Sequence, residues 1–307
     1  MDWPLDTETI AKLPETTVTF YCIKRSEKYD TQKPYFYSGT LPADQEENRT
    51  NLEYTAVPNV VLRDLRGYER DLDIEQHGFQ FLDRRLISET ECRREEDVQG
   101  FMLGISKFTE ERFAAELVLC YDYNFRRSSW DSLAPEDKQV PSVTGSHSLP
   151  EKPAKTPHVD HTRTNGLKRA AVHLMKPERE KYLDGTWRIR IMNFWQPLHY
   201  PVEDAPLALC DYSSIAEEDL VAVDRVSPTY AGEVYYVRHH SGQRWYWLSN
   251  QTPDETTLFL SFDSDPELGI GPPFCPHGSF RHPMATEATP PRQSIEVRVI
   301  VITKKED

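Results

Sequence analysis

The stretch Ser294-Ile295-Glu296-Val297-Arg298-Val299-Ile300-Val301-Ile302-Thr303 sets the fold class. Polar side chains at 294, 296 and 298 alternate with Ile295, Val297 and Val299. A period of two puts the first set on one face of a strand and the second on the other, and β-branched residues suit that geometry. Working outward, the same character recurs at 187–195 (WRIRIMNFW), 207–210, 233–239 (EVYYVRH), 244–248 (RWYWL) and 256–262 (TTLFLSF). A single helical pattern, about 166–183, interrupts these strands. Many short strands with few helices predict a mainly β (α+β) molecule, a sandwich or open barrel rather than a parallel βαβ sheet.

The N-terminal part is more mixed. Val18–Cys22, Val60–Leu62 and Leu117–Tyr121 read as strands, whereas Val98, Phe101, Met102, Ile105 and Phe108 recur at helical spacing and predict a helix from about 95 to 114. Gly100 and Gly104 weaken that helix by up to about 1 kcal/mol each relative to Ala. Between the two parts, residues 127–157 are polar, rich in proline and without apolar periodicity, which marks a long loop. The expected organisation is therefore an N-terminal α+β portion (1–126) packing on the core, a loop and potential lid (127–157), and a β-rich core (158–307).

Composition narrows the function. Thirty-six Lys and Arg against 50 Asp and Glu leave a net charge of −14, and no basic stripe stands ready for a nucleic acid. Aromatic residues reach 11 %, which argues against disorder. No apolar run has the length of a membrane span, and no secretory signal is visible. Cysteines at 22, 92, 120, 210 and 275 form no CxxC pair, so reduced thiols and a cytoplasmic, soluble protein are expected. Nucleotide-binding glycine loops and a GxSxG elbow are absent from the sequence.

The chemistry-bearing residues follow the loop. In Pro157-His158-Val159-Asp160-His161-Thr162, an extended backbone points His158 and Asp160 to the same side, where an imidazole and a carboxylate can share a metal. The third ligand is expected from His277 in Phe274-Cys275-Pro276-His277-Gly278. Two His and one carboxylate on one face of Fe(II) leave positions open for co-substrate and O2. HxD alone is a short pattern, and a loop His bonded to its neighbour explains it equally well. The sequence Arg292-Gln293-Ser294 adds weight: a guanidinium fork with a hydroxyl two residues on suits the far carboxylate of 2-oxoglutarate. Arg298 lies on the same face and is the alternative anchor, or a structural partner of Glu296. His161 points to the other face and is expected beside the metal site or in solvent. Of the aromatic group around Trp187, Trp195 and Tyr246, most belongs to the core, with Trp195 and Tyr246 as candidates for pocket lining.

An ordered series of motifs also resembles a known family. It runs through Leu72-Asp73 with His77-Gly78-Phe79, Tyr121-Asp122 with Arg126, and His158-Val159-Asp160-His161-Thr162. It continues through Asn193-Phe194-Trp195-Gln196-Pro197-Leu198, Pro201–Ala208, Trp245-Tyr246, Thr252–Glu255, Asp263-Ser264, Pro276-His277 and Pro291–Arg298. The chain is similar to the Fe(II)/2-oxoglutarate-dependent oxygenases of natural-product pathways that include gibberellin desaturase and the cephamycin hydroxylase/methoxylation component. The resemblance implies a double-stranded β-helix (jelly-roll, cupin-like) core with flanking helices. It implies iron at His158, Asp160 and His277, with 2-oxoglutarate at Arg292 and Ser294. On the family pattern Asn193 is a polar contact to the co-substrate or to a ligand His. The implied activity is hydroxylation, desaturation or oxidative cyclisation of a small molecule, coupled to decarboxylation of 2-oxoglutarate to succinate and CO2. No catalytic side chain beyond the iron centre is expected. Two alternatives stay open: an iron enzyme that does not use 2-oxoglutarate, and an inactive binding protein of the same fold. Gln196, Tyr123 and Gln293 depart from the family's usual Arg, His and Glu. These departures leave the iron triad intact and bear on the substrate.

Overall fold

Alternating β-branched and aromatic residues draw the chain into two sheets in the computed structural model, which describes residues 7–38, 40–86, 95–129, 150–228, 230–265 and 274–305. The strands before the 127–157 segment are β1 (Glu15–Ile23), β2 (Tyr35–Tyr37), β3 (Tyr54–Asp64), β4 (Phe79–Leu82) and β5 (Leu117–Arg127). After it come β6 (His158–Val159), β7 (Trp187–Pro197), β8 (Leu207–Cys210), β9 (Leu220–Val226) and β10 (Ala231–Val237). The last four are β11 (Trp245–Trp247), β12 (Thr256–Asp263), β13 (His277–Ser279) and β14 (Gln293–Lys304). A nine-stranded sheet runs β1-β3-β11-β8-β13-β6-β10-β9-β2, and a five-stranded sheet runs β4-β12-β7-β14-β5. Each sheet takes strands from both sides of the 127–157 segment.

The two faces of β14 set the layers. Ile295, Val297, Val299 and Val301 join Met192 and Phe194 of β7 under the helix Glu95–Phe113, whose Phe101 and Ile105 cover that outer face. Gly100 and Gly104 meet nothing on the helix exterior and are tolerated there. On the inner face, Ile300 and Ile302 pack with Ile189, Ile191 and Phe262 beneath the helices Arg163–His173 and Lys176–Tyr182. Gly166 permits that approach, because a Cβ there would lie 2.2 Å from the Phe262 ring. One helix was expected over 166–183; the chain breaks at Leu174 and Met175, and Pro177 sits in the first turn of the second helix, where its missing N–H costs nothing. Toward the other end of β14 the inner face turns polar at Arg298, Glu296, Ser294 and Arg292, all buried. A fully apolar strand face needs no ligand; this half-polar one encloses the site.

The ends of the 127–157 loop are tied together. Arg126 bridges Glu151 in a parallel pair and forms an ion pair with it at 3.2 Å. The Ser128 amide donates to the Arg292 carbonyl at 2.9 Å, so the chain leaves the barrel beside that arginine. Residues 130–149, the body of the expected loop and potential lid, lie outside the described residues. Cys22, Cys120, Cys210 and Cys275 are free thiols; Cys92 lies outside the described side chains. No helix among the described residues is long and apolar enough to cross a membrane.

Candidate metal centre

Strand register brings the ligands together. β6 lies between β13 and β10, and His158 stands directly opposite His277 on one side and Tyr236 on the other. Cross-strand partners share a face, and the two imidazole centroids are 4.5 Å apart. Asp160, two residues past His158, turns to the same side. The ligand atoms of His158, Asp160 and His277 all lie within 4.8 Å of one another.

Both imidazoles are oriented from behind. His158 Nδ1 lies 2.8 Å from the Thr156 carbonyl and His277 Nδ1 3.1 Å from the Cys275 carbonyl. A carbonyl only accepts, so each ring carries its proton on Nδ1 and turns an Nε2 lone pair into the site. Burial pushes the His158 pKa down to about 4, with His277 adding to the shift, and burial lowers His277 as well. Both rings are neutral at physiological pH, the form a metal needs. His277 Nε2 is buried without a hydrogen-bond partner. A buried acceptor left unsatisfied costs about 1–3 kcal/mol, and a cation at this point relieves it. The donor set, two neutral imidazoles and one carboxylate, fits Fe(II).

The carboxylate is fixed by the five-stranded sheet. Register places Arg298 of β14 between Asp122 of β5 and Asn193 of β7. Arg298 grips Asp160 with Nε to Oδ2 at 2.9 Å and Nη2 to Oδ1 at 3.1 Å, and donates Nη1 to Asp122 at 2.7 Å. Glu296 completes the ion cluster at 2.7 Å from Arg298. Asn193 Nδ2 donates to Asp160 Oδ2 at 2.7 Å and is itself oriented by Ser261, whose hydroxyl donates to Asn193 Oδ1 at 2.9 Å. Burial alone raises the Asp160 pKa, but Arg298 and the two histidines outweigh it and hold the carboxyl well below the usual range.

Six residues before Arg298, just ahead of β14, Arg292 is arranged differently. It is 2 % exposed, donates Nη1 to the Ala205 carbonyl at 2.7 Å and to Ser279 Oγ at 3.2 Å, and lies over Trp195 with 5.5 Å from Cζ to the ring centroid. Its Nε has no partner, and neither has the buried Ser294 hydroxyl. Burial, reinforced by Arg126, lowers the Arg292 pKa to about 9. Ser279 lies two residues beyond His277 on β13, a separation of roughly 7 Å along a strand. The unsatisfied guanidinium therefore lies against the same strand that carries the unsatisfied imidazole.

The structure therefore brings His158, Asp160 and His277 into one cluster, while Arg292 and Ser294 are buried at the start of the strand that carries Arg298. Asn193, expected at the co-substrate or a His, contacts Asp160 instead. Arg298, the alternative anchor, is bonded to Asp160, Asp122 and Glu296. Trp195 lies under Arg292. Tyr246 is fully buried in the cluster of Leu209, Phe79 and Phe259. His161 is buried beside the site, with Nε2 3.0 Å from the Tyr121 hydroxyl. Sequence reasoning missed Phe259, whose ring centroid is 4.5 Å from that of His277, along with Asp122 and Thr156. Cross-strand register could have found Asp122, whereas Phe259 meets His277 across the gap between the two sheets.

Known proteins are similar to this chain in sequence and in fold. An iron and alpha-ketoglutarate-dependent endoperoxidase, NvfI, superposes with a TM-score of 0.76 at 23 % identity, covering 96 % of this chain and all of the other. That likeness establishes the cupin-like jelly-roll fold. The alpha-ketoglutarate-dependent dioxygenase phiK of a fungal species is 27 % identical over 86 % of this chain and 91 % of its own length. The hydroxylase/desaturase efuI of Hormonema carpetanum is 26 % identical over 84 % of this chain and 88 % of its own. The fold and the site define a non-haem oxidoreductase of the Fe(II)/2-oxoglutarate-dependent dioxygenase class. The chain belongs to the family described as an oxidoreductase/YMDC permease-like domain, whose model it matches over residues 20–302.

Proposed function

We propose that the protein oxidises a C–H bond of a small natural-product intermediate, with Fe(II) held by His158, Asp160 and His277 and the far carboxylate of 2-oxoglutarate held by Arg292 and Ser294. The finer likeness to gibberellin desaturase and the cephamycin component rests on the ordered sequence motifs and belongs to this proposal. The observation that carries it is the set of buried groups without partners, His277 Nε2 at one end and Arg292 Nε with Ser294 Oγ at the other.

Bound iron with 2-oxoglutarate supplies O2 activation coupled to decarboxylation, giving succinate and CO2. The protein's part is placement. The Thr156 and Cys275 carbonyls hold the proton of each imidazole on Nδ1. Arg298 and Asn193 fix the angle of the Asp160 carboxylate. Arg292 meets a carboxylate with charge-assisted hydrogen bonds in a site from which water is largely excluded, and Ser294 adds a neutral donor. Phe259 and Trp195 wall the space between metal and anchor with apolar surface, shielding the reacting centre from bulk solvent.

Succinate formation tests the proposal. Purified protein with Fe(II), 2-oxoglutarate and O2 is expected to release succinate slowly without a prime substrate. His277→Ala should abolish release. Succinate formation that survives this substitution would remove the assignment of the triad, and none from the wild type would favour an iron enzyme independent of 2-oxoglutarate.

A further inference from the structure

A cavity of about 480 Å³ opens beside Asp160, between β5 and β14 on one wall and β9, β10 and the helix Arg163–His173 on the other. Its lining includes Asp160, Arg298, Tyr121, Tyr230, Arg169 and Arg225. That volume suits a small organic molecule, and Asp160 connects it to the metal centre.

The acids along this wall are already matched. Arg298 serves Asp160 and Asp122, and Glu233 is held by Lys33 and by the Thr162 hydroxyl at 2.6 Å. Arg169 has no ion pair among the described residues. Its guanidinium is clamped between two rings, 5.0 Å from the Tyr121 centroid and 4.6 Å from that of Tyr230, and its Nε is buried without a partner. Both tyrosines are fixed in turn: Tyr121 by His161, and Tyr230 by a hydrogen bond to Asn165 Oδ1 at 3.3 Å. Arg225 stands directly across from Gly232 in the β9–β10 ladder. Gly232 leaves room for the Tyr230 ring, since a Cβ there would lie 2.4 Å from Cε1. The wall is thus a built one: a glycine admits the tyrosine, the tyrosine holds Arg169, and Arg225 stands alongside.

We propose that this cavity is the substrate site and that it selects an organic carboxylate. Arg169, whose Nε is unsatisfied, takes the anionic end with Arg225 adding positive charge alongside, and the Tyr230 ring meets an unsaturated or aromatic body. The inference rests on the oxygenase reading above, because only that reading calls for a substrate cavity beside the ligand Asp160. It adds a chemical class to that reading: an acid rather than its ester, amide or neutral terpenoid counterpart.

The test uses cinnamate and cinnamamide as probes, titrated calorimetrically into the full-length apoprotein, so that binding is read without turnover. Cinnamate should bind at least about tenfold more tightly than the amide, the factor that about 1.4 kcal/mol supplies, and its affinity should fall with added salt. Arg169→Gln and Arg225→Gln should each remove most of that preference, and Gly232→Ala should weaken it by displacing Tyr230. Saturating 2-oxoglutarate should not displace cinnamate. Equal binding of acid and amide, no binding of cinnamate, or a preference unchanged in both arginine variants would each overturn the inference. So would competition with 2-oxoglutarate combined with loss of binding in Arg292→Gln, since the acid would then occupy the co-substrate anchor. If wild-type protein forms no iron–2-oxoglutarate complex, the oxygenase reading falls. If it forms one while cinnamate ignores Arg169 and Arg225, only the substrate class falls.

Discussion

Two buried arginines six residues apart, Arg298 within β14 and Arg292 just ahead of it, show how the same side chain serves opposite ends. Arg298 is saturated by protein, with Asp160, Asp122 and Glu296 around it. Arg292 is equally buried, yet its guanidinium hydrogen-bonds only to a carbonyl and a hydroxyl, lies over Trp195 and keeps an Nε without an acceptor. Arg298 closes an ionic cluster and thereby fixes a metal ligand. Arg292 leaves a donor unsatisfied, which the proposed function fills with the far carboxylate of 2-oxoglutarate. Burial pulls both pKa values down, but the carboxylates around Arg298 reverse the shift, whereas Arg292 remains depressed at about 9.

The sharpest way to break the contrast is to remove each arginine in turn. Arg298→Gln strands Asp160 as a buried charge without its partner and is expected to destabilise the apoprotein by about 3–5 kcal/mol, read as a lowered midpoint in denaturant. Arg292→Gln should leave apoprotein stability within about 1 kcal/mol, because it deletes a desolvated charge along with ordinary hydrogen bonds. Its effect should appear in 2-oxoglutarate binding instead, weakened by about 1.5–3 kcal/mol in a titration of the iron-loaded protein. Equal stability losses in the two variants would erase the distinction.

Acid should sharpen the same picture. His161 is pushed down to about 3 and His158 to about 4, chiefly by burial. Each has a folded pKa below its unfolded value of about 6.5. The unfolded chain therefore binds more protons between those values, so stability is complete above about 6.5 and declines as pH falls toward 3–4. Asp160, depressed by Arg298, adds a further loss below about 3.8. Apoprotein melting temperatures across this range should fall steadily. A flat profile would mean that the histidines are protonated in the folded state. The smallest effect is expected from Asn193→Ala, about 1 kcal/mol, seen as weaker Fe(II) affinity with 2-oxoglutarate affinity little changed.

How much the sequence disclosed follows from the range of each interaction. β7, β12 and β14 were legible because alternation and β-branching are local properties. β6 and β13 were not, since two or three residues carry no period and become strands only through their neighbours. The metal triad was legible in part because His158 and Asp160 lie two residues apart, a spacing that fixes their common side. Arg298 reads as a rival anchor in sequence because its partners come from elsewhere: Asp122 by register with the neighbouring strand, and Asp160 across the gap between the two sheets. The free Nε of Arg292 was likewise invisible: a residue type says what a group can bind, and only packing says what it lacks.

The central claim is that iron and 2-oxoglutarate occupy the space between His277 and Arg292 together. Anaerobic titration of the apoprotein with Fe(II) and then 2-oxoglutarate, followed by visible absorption, tests it most directly. The account predicts a metal-to-ligand charge-transfer band that requires both additions, is lost in His158→Ala, and needs far more 2-oxoglutarate in Arg292→Gln. Iron binding without any band, or a band whose 2-oxoglutarate dependence is the same in Arg292→Gln as in the wild type, would contradict it.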